Sequence, residues 1–279
     1  MKIAYESDIG RRRELDEDSI IVMRSCAVYG PNERQAAFLL VADGMGGHNS
    51  GEIASRLTAA GIAQGMTRVM LRKDRASSAE KINPFIQEVV RNINQDLFKF
   101  AGENPQLRGM GTTLTLALVM GLKVHIGHVG DSRAYIVSKD EMRQITRDHS
   151  LVQEMVDRGE LTPEEARTHS RKNIITRAIG VYKDIDVDVY EEYVFGDDYL
   201  LLCCDGLTDM VTDEEIYAVV MNNDDPQKIC DILIQKANER GGRDNISVIV
   251  AQFDELPLRK EEKTEIKHSP EAEEKTHVY

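Results

Sequence analysis

The stretch FLLVADGMGGHNSGEIASRL, residues 38–57, joins three local patterns. An apolar run predicts a buried strand that ends at Asp43, glycines follow at once, and a helical spacing of apolar residues begins near residue 51. A Walker phosphate-binding loop would need lysine after its last glycine, but His48 follows Gly47. The glycines instead let the backbone bend tightly after Asp43, so the aspartate itself is the candidate functional group.

Acidic residues stand at other strand boundaries as well. Apolar runs lead into Asp131 and Asp205, Asp244 comes just before the last predicted strand, and Glu17 and Asp18 open an early one. A single Asp-Gly pair is more often an ordinary turn than a functional site. Several such acids beside apolar core strands are less easily explained as turns, and we expect their carboxylates to face a common cleft.

Electrostatics decides what can hold such a cluster together. Two carboxylates about 4 Å apart repel by roughly 4 kcal/mol at an effective dielectric constant near 20. Several such pairs would exceed the net stability of about 5–15 kcal/mol that is usual for a domain. Cations must therefore lie between the carboxylates if the strand ends converge. Oxygen ligands without cysteine or histidine select Mg²⁺, Mn²⁺ or Ca²⁺.

Composition excludes several other classes of protein. The 279-residue chain has a formal net charge of −13, which disfavours nucleic acid and anionic membranes as partners. The N-terminus lacks a signal-peptide core, and apolar runs such as residues 114–120 are too short to span a bilayer. The four cysteines show no Cys-x-x-Cys spacing. These features predict a soluble cytoplasmic protein without membrane insertion.

The order of elements predicts an α+β fold, because hairpins and paired helices alternate in blocks and argue for antiparallel sheets covered by helices. Strands are predicted at 18–24, 36–42, 113–120, 123–129, 133–138, 142–146, 186–194, 199–204 and 246–253. Helices are predicted at 51–71, from an Asn83-Pro84 cap to about 100, at 148–167, and after caps at Thr212 and Asp225. Residues 1–254 are expected to form one catalytic unit, and the charged segment 255–279 is expected to be a disordered tail.

Six motifs in this chain occur in the order and spacing of one known family. They are Arg13–Asp18, Asp43–Gly47, Gly109–Thr113, Gly130–Arg133, Cys204–Asp209 and Gly242–Asn245. The chain resembles the metal-dependent serine/threonine protein phosphatases of type 2C, in their bacterial form, over residues 3–254. The resemblance implies a four-layer α-β-β-α sandwich of two stacked antiparallel sheets flanked by helices. It also implies a flap at about 147–176 that shapes substrate access.

The resemblance also implies a two-metal centre at one end of the sandwich. Asp43 matches the ligand that bridges both metals, and Asp205 and Asp244 match the remaining ligands of the first metal. The carbonyl of Gly44 matches a ligand of the second metal, which Glu17 supports through water. The implied ions are Mn²⁺ or Mg²⁺, since a catalytic site must keep waters and open positions.

Further roles follow from the same resemblance. Asp18 matches an acid that assists the site, and Asp131 matches the ligand of a possible third, weaker ion that it shares with Asp205. Arg13 matches the arginine that grips the substrate phosphate. Some relatives have histidine at the position of Met45, where it protonates the leaving group. The general acid is thus left open here, between His48 nearby and a metal-bound water.

The implied activity is hydrolysis of phosphoserine and phosphothreonine in proteins. In this mechanism a hydroxide between the two metals attacks phosphorus, and Arg13, Asp43 and Asp205 are the catalytic residues. The expected partners are a serine/threonine kinase and its substrates, and the chain is expected to be a monomer. The alternative is a catalytically weak phosphoprotein-binding module, a pseudophosphatase with a metal site. The ligand positions are all acidic here, which favours the enzyme.

Other phosphatase chemistries are less consistent with the sequence. None of the cysteines is followed at the sixth position by arginine, as a cysteine phosphatase requires. Asp184–Asp188 imitates an aspartyl-phosphate motif but lacks a preceding strand, and its alternation is typical of an edge strand. Five basic residues of the flap region are open to two interpretations, contact with a phosphopeptide or a solvated helical face. They are Arg147, Arg158, Arg171, Lys172 and Arg177.

Overall fold

Two antiparallel β-sheets lie face to face in the computed structural model, which describes residues 1–29, 32–46, 50–71, 79–254 and 256–258. The first sheet has the spatial order β1 (Lys2–Asp8), β11 (Ile246–Gln252), β10 (Tyr199–Cys203), β7 (Arg133–Val137) and β8 (Met142–Gln144). The second has the order β2 (Asp18–Tyr29), β3 (Asn32–Met45), β5 (Leu114–Met120), β6 (Lys123–Val129) and β9 (Asp188–Tyr193), and the short β4 (Gly111–Thr112) pairs with β3.

Helices cover the outer face of each sheet. Helices α1 (Ser50–Met70) and α2 (Ala79–Glu103) pack on the second sheet, and α6 (Asp213–Met221) and α7 (Pro226–Glu239) pack on the first. The one-turn helix α5 (Asp205–Thr208) follows β10, and α3 (Leu151–Asp157) and α4 (Pro163–Thr168) lie between β8 and β9. A 3-10 turn spans Pro105–Leu107. The four-layer sandwich predicted from the sequence is confirmed.

Strand β3 shows why the opening stretch is apolar without alternation. Phe38 and Leu40 face the helices α1 and α2, whereas Leu39 and Val41 face the first sheet. Both faces of the strand are therefore buried, which demands a continuous apolar run. Leu39 and Val41 pack against residues of the first sheet, and this shared apolar layer holds the ends of the strands near one another.

The second helix begins earlier than predicted. Asn83 and Pro84 were expected to cap it, but it starts at Ala79 and Pro84 lies inside it. The amide oxygen of Asn83 lies 2.9 Å from the ring nitrogen Nδ1 of His125, so this side chain contacts the sheet and does not cap a helix. Burial of the apolar stripe behind the proline, including Ile86, offsets the backbone hydrogen bond that the proline removes.

Three further elements differ from the prediction. The helix predicted over 148–167 is two helices, because the second has its own capping box at Thr162 and Glu165. Strand β9 begins only at Asp188, so most of the alternating segment before it is not an edge strand. Strand β1 was not predicted, since only Ala4 in it is buried.

The charged C-terminal segment is only partly described. Residues 255 and 259–279 lie outside the described residues, and for them the disordered tail stays a prediction. Residues 256–258 are described, and the carbonyl of Pro257 accepts a hydrogen bond of 2.9 Å from the N–H of Gly196. None of the helices in the described ranges combines the length and the apolar character needed to cross a membrane.

Candidate metal centre

The two acids at the ends of the first hairpin face each other directly. Asp18, the first residue of β2, pairs with Asp43 near the end of β3. One oxygen from each carboxylate and the Sγ atom of Cys204 all lie within 4.8 Å of one another. Antiparallel pairing of the two strands thus places the first two predicted site residues together at one edge of the second sheet.

Two more acids reach this point from the first sheet. Asp205 begins α5 at the end of β10, and Asp244 stands just before β11, which is the neighbour of β10. A Cβ atom on Gly206 would lie 3.4 Å from the Cβ of Asp244 and 1.9 Å from the carbonyl oxygen of Asn245. Only glycine fits there, and its presence lets the segments that carry the two acids approach closely.

Asp131 lies on the turn between β6 and β7 and is buried. Burial and the carboxyl charge of Asp205 raise the pKa of Asp131 well above its usual range, so the two side chains are neighbours. The hydroxyls of Ser132 and Thr113 lie 2.7 Å apart, and Thr113 Oγ1 accepts a hydrogen bond of 2.9 Å from the backbone N–H of Asp43. These bonds fix the Asp131 turn relative to the end of β3.

Glu17 is held by backbone contacts on the other side of the cluster. Its N–H donates to Asn245 Oδ1 over 2.9 Å, and its carbonyl accepts a bond of 3.1 Å from the N–H of Gly44. A Cβ atom on Gly44 would lie 2.3 Å from the carbonyl oxygen of Gly51, so this position also requires glycine. The side chain of Glu17 is buried against the start of α1.

Arg13 lies at the mouth of the cluster and is half-exposed. Its NH2 group donates to Asp244 Oδ2 over 2.7 Å, and its NH1 group lies 3.4 Å from Glu17 Oε2. The planar guanidinium is thereby placed beside the acids, with part of its surface open to solvent. This position suits a group that receives an anion next to the cluster.

The acids perturb one another strongly. Burial raises the pKa of Asp18 to about 7 and, with the charges of Asp209 and Asp244, raises the pKa of Asp205 to about 6. Burial and the neighbouring carboxylates also raise the pKa of Asp43 well above its usual range. Titratable groups with such shifts are typical of functional sites.

Several carboxylate oxygens here are buried without a hydrogen-bond partner among the described residues. These are Glu17 Oε1, Asp18 Oδ1 and Oδ2, Asp131 Oδ1 and Asp205 Oδ1. A buried carboxylate oxygen without a partner costs folding free energy, and one hard divalent cation can bind several such oxygens at once. The residues present therefore fit a centre of divalent cations with oxygen ligands.

Cys204 lies against the cluster but does not change this chemistry. Burial raises the pKa of its thiol well above the usual range. The thiol donates to the carbonyl oxygen of Asn245 over 3.3 Å, and the N–H of Ser247 donates to the sulfur over 3.1 Å. A neutral thiol engaged in this way is a poor metal ligand, which leaves the carboxylates as the available donors.

Sequence reasoning missed some of the supporting residues. Asn245 donates from Nδ2 to the carbonyls of Ile9 and Leu15, at 3.1 and 2.9 Å, and thereby fixes the N-terminal segment that carries Glu17. Thr112 Oγ1 donates to the carbonyl of Asp43 over 2.8 Å. Both lie inside motifs that the sequence displays, but nothing in a motif tells which neighbour a polar side chain binds. His48, a candidate general acid, lies outside the described residues.

An open cleft of about 240 Å³ lies between the cluster and the flap. Asp131 and Asp205 line one side of it, and Val152 and Lys172 line the other. Lys172 Nζ lies 2.5 Å from Asp209 Oδ2, so the charge of this lysine is already paired. Arg147, Arg158 and Arg177 likewise pair with the acids Asp157, Glu160 and Asp188. These pairs leave the three arginines engaged with acids and less available to a phosphopeptide, although none of the three lies within a helix, as the solvated helical face would require.

The fold and this cluster define an α-β-β-α sandwich with a candidate divalent-cation centre at its strand ends. A model of the protein phosphatase 2C family matches residues 27–224. Serine/threonine phosphatase stp of Listeria innocua is 37% identical over 254 residues, which cover 90% of this chain and 96% of the relative. The chain belongs to the protein phosphatase 2C family, and the predicted family is confirmed.

Solved structures agree with this membership. Serine/threonine phosphatase Stp1 from Staphylococcus aureus superposes with a TM-score of 0.79 at 34% identity, covering 90% of this chain and 94% of Stp1. The catalytic domain of the phosphatase PstP in complex with two manganese ions superposes with a TM-score of 0.74 at 34% identity, covering 90% and 97%. A protein of the same fold thus binds Mn²⁺.

Proposed function

We propose that this chain is a metal-dependent serine/threonine protein phosphatase that hydrolyses phosphoserine and phosphothreonine at the Asp43 cluster. The enzyme class predicted from the sequence is that of the relatives that the chain resembles, such as serine/threonine phosphatase stp. The observation that carries the proposal is the convergence of acids, several of whose buried carboxylate oxygens have no partner among the described residues. Without cations such a cluster would be destabilising.

Two divalent cations fit this centre. Asp43 would contact both ions, Asp205 and Asp244 would be ligands of one, and the Gly44 carbonyl and Glu17 would serve the other. Mn²⁺ and Mg²⁺ suit such oxygen donors, and the manganese complex of PstP supports the choice. Asp18 supports the centre from β2, and Asp131 with Asp205 offers a place for a weaker third ion.

When bound, a pair of divalent cations lowers the pKa of a water between them and neutralises charge that develops on phosphate oxygens. The protein's own part is to hold Asp43, Asp205 and Asp244 in one place through the strand ends. Arg13 offers a planar fork to two phosphate oxygens, and it is already positioned beside Asp244. Because the guanidinium is half-exposed, an incoming phosphate reaches it from solvent.

The substrate class follows from the open cleft and the family. A phosphorylated protein segment fits an open groove beside the cluster better than a small enclosed ligand would. We propose that the natural substrates are a serine/threonine kinase and its targets, and that the chain acts as a monomer. Cys203, Cys204 and Cys230 are buried thiols, which is usual in a reducing compartment, and we propose a cytoplasmic location.

The test is hydrolysis of a phosphothreonine peptide with Mn²⁺, with EDTA, and with the variant Asp205→Asn. We expect activity with Mn²⁺, none in EDTA, and a loss of at least about a hundredfold in the variant, because removal of a ligand disrupts the charge that stabilises the transition state. Asp186→Asn, at an exposed acid outside the site, is the control and should retain activity. A wild-type protein that binds the peptide without hydrolysing it would favour the pseudophosphatase.

A further inference from the structure

His149 and Gly130 hold each other through two hydrogen bonds. The backbone N–H of His149 donates to the carbonyl of Gly130 over 2.6 Å, and the N–H of Gly130 donates to ring nitrogen Nδ1 of His149 over 3.0 Å. Gly130 has φ of +113° and immediately precedes Asp131. A Cβ at Gly130 would lie 2.6 Å from the Cβ of Thr113. The turn that presents Asp131 is thus fixed by His149 on one side and by Thr113 on the other.

The contacts of the ring determine its tautomer. Since Nδ1 accepts from the N–H of Gly130, the proton of the neutral imidazole is on Nε2, which donates to Asp188 Oδ2 over 3.2 Å. Arg177 NH1 also lies 3.2 Å from Nε2, but a protonated Nε2 cannot accept a hydrogen bond from it. Arg177 donates to the other oxygen of Asp188 over 3.0 Å. Burial and the charge of Arg177 lower the pKa of His149, so the neutral ring is favoured. The carboxylate of Asp188 thereby orients the imidazole.

His149 also joins the two ends of the flap. The N–H of Thr176 donates to the carbonyl of His149 over 2.7 Å, and Ser150 forms an antiparallel bridge with Ile175. The N–H of Leu151 donates to the carbonyl of Ile174 over 2.8 Å. We call these two paired segments, residues 149–151 and 174–176, the flap stem. The side chain of His149 therefore contacts the Asp131 turn, while the backbone of the same residue closes the flap stem.

A second histidine supports the first from the sheet. His128 on β6 is buried, and its ring centroid lies 4.8 Å from that of His149. Its Nδ1 atom lies 3.0 Å from Thr115 Oγ1, which donates to the carbonyl of Ser132 over 2.9 Å. The packing leaves the ring of His149 little freedom to rotate away from Gly130.

We propose that His149 is a positioning residue, which acts as a neutral imidazole to fix the Asp131 turn and to tie it to the flap stem. It does not touch the proposed cations or the substrate phosphate; its effect passes through Gly130 to the carboxylate of Asp131. The proposal rests on the proposed function only for the ion-binding role of Asp131. The geometric part concerns the turn and stands without any activity.

The experiment compares two substitutions that keep different halves of the imidazole. In His149→Asn the amide oxygen takes the place of Nδ1 and can still accept from Gly130. In His149→Gln the amide lies near the place of Nε2, and the acceptor for Gly130 is lost. His169→Gln, at a flap histidine outside the stem, is the matched control.

The first readout is hydrogen exchange at the Gly130 amide in metal-free protein. His149→Gln should speed this exchange about tenfold, because a buried N–H loses its acceptor. His149→Asn and the control should leave it nearly unchanged. Equal exchange in wild type and His149→Gln, or equal acceleration by Asn and Gln, would overturn the proposal.

The second readout is the Mn²⁺ concentration that gives half-maximal hydrolysis. His149→Gln should raise it about tenfold, with activity restored at higher Mn²⁺, because residues that orient metal ligands typically affect affinity on this scale. A damaged fold would not be restored in this way. If the wild type hydrolyses nothing, the proposed function fails, while the exchange readout still decides the positioning role.

A measurement on the wild type covers the case in which His149→Gln does not fold. Two-dimensional ¹⁵N–¹H spectra of the imidazole report which nitrogen carries the proton. We expect the proton on Nε2 of His149 near neutral pH. A proton on Nδ1 would exclude acceptance from Gly130 and would contradict the proposal.

Discussion

Asp18 and Asp43 occupy directly opposed positions on β2 and β3, and an oxygen of each lies within 4.8 Å of the other. The two acids could move apart only if the register between β2 and β3 changed, and that would shift β3, whose two faces are both buried. The buried layers around β3 thus enforce a contact that electrostatics opposes. Stability of the metal-free protein and affinity for cations are consequently two aspects of the same arrangement.

Divalent cations should stabilise the fold. Binding to the folded state alone adds about 2.7 kcal/mol at a free concentration of 100 times Kd, which corresponds to an increase in Tm of about 5 °C or more for a domain of this size. Thermal unfolding of one preparation in EDTA and in Mn²⁺ measures the difference. Equal Tm values in the two conditions would show that folding does not create the site.

The pH dependence of the metal-free protein should reveal the raised pKa of Asp18. This pKa is about 7 in the folded protein, against an ordinary value of 3.8. The contribution of the group is therefore fully present below the ordinary pKa and is lost as pH rises through about 7, because the unfolded chain ionises first.

Asp18→Asn keeps a neutral group at this position. We expect the variant in EDTA to resemble the wild type near the ordinary pKa of Asp18, and to be more stable by on the order of 2–4 kcal/mol at about pH 8. Urea unfolding at both pH values measures the change. A difference that does not vary with pH would contradict the assignment.

Arg13 should contribute chiefly to substrate binding. In Arg13→Lys the planar fork is replaced by a single ammonium, which cannot contact two phosphate oxygens at once. We expect KM for a phosphothreonine peptide to rise about tenfold, since charged hydrogen bonds typically contribute 1.5–3 kcal/mol. Arg12→Lys, at the exposed neighbour, is the control. An equal effect in both variants would mean that general charge, and not the geometry of Arg13, attracts the phosphate.

The sequence indicated which acids converge better than it indicated the boundaries of helices and strands. The convergence of Asp43, Asp205 and Asp244 could be predicted because each interrupts an apolar run or adjoins a strand. Strand β1 could not, since an edge strand with one buried residue, Ala4, has almost no apolar pattern. Its existence depends on hydrogen bonds to β11, which no local pattern encodes.

Helix α2 shows a different limit. A proline after asparagine usually marks a helix start, yet Pro84 lies inside the helix because packing on the second sheet outweighs local propensity. The contacts of Asn245 and His149 were not predicted for a third reason. A polar side chain can bind many neighbours, and only the tertiary structure brings the partners Glu17 and Gly130 into reach.

Close packing around Gly206 provides a test of the geometry at the strand ends. Gly206→Ala should destabilise the protein by about 2 kcal/mol or more and reduce activity, because the new Cβ would meet a backbone oxygen of Asn245 that cannot move aside. Gly102→Ala is the matched control in α2, where a Cβ would meet nothing within 4 Å. It should be neutral or stabilise by about 0.5–1 kcal/mol. Denaturant unfolding of both variants decides the matter, and equal effects would exclude the steric explanation.

The most direct test is anomalous scattering from crystals that contain Mn²⁺. We expect two ions about 3.5–4 Å apart, bridged by Asp43, with Asp205 and Asp244 on one ion and the Gly44 carbonyl on the other. Ions bound elsewhere, or no ion near Asp43 at saturating Mn²⁺, would contradict the central claim that divalent cations hold these carboxylates together.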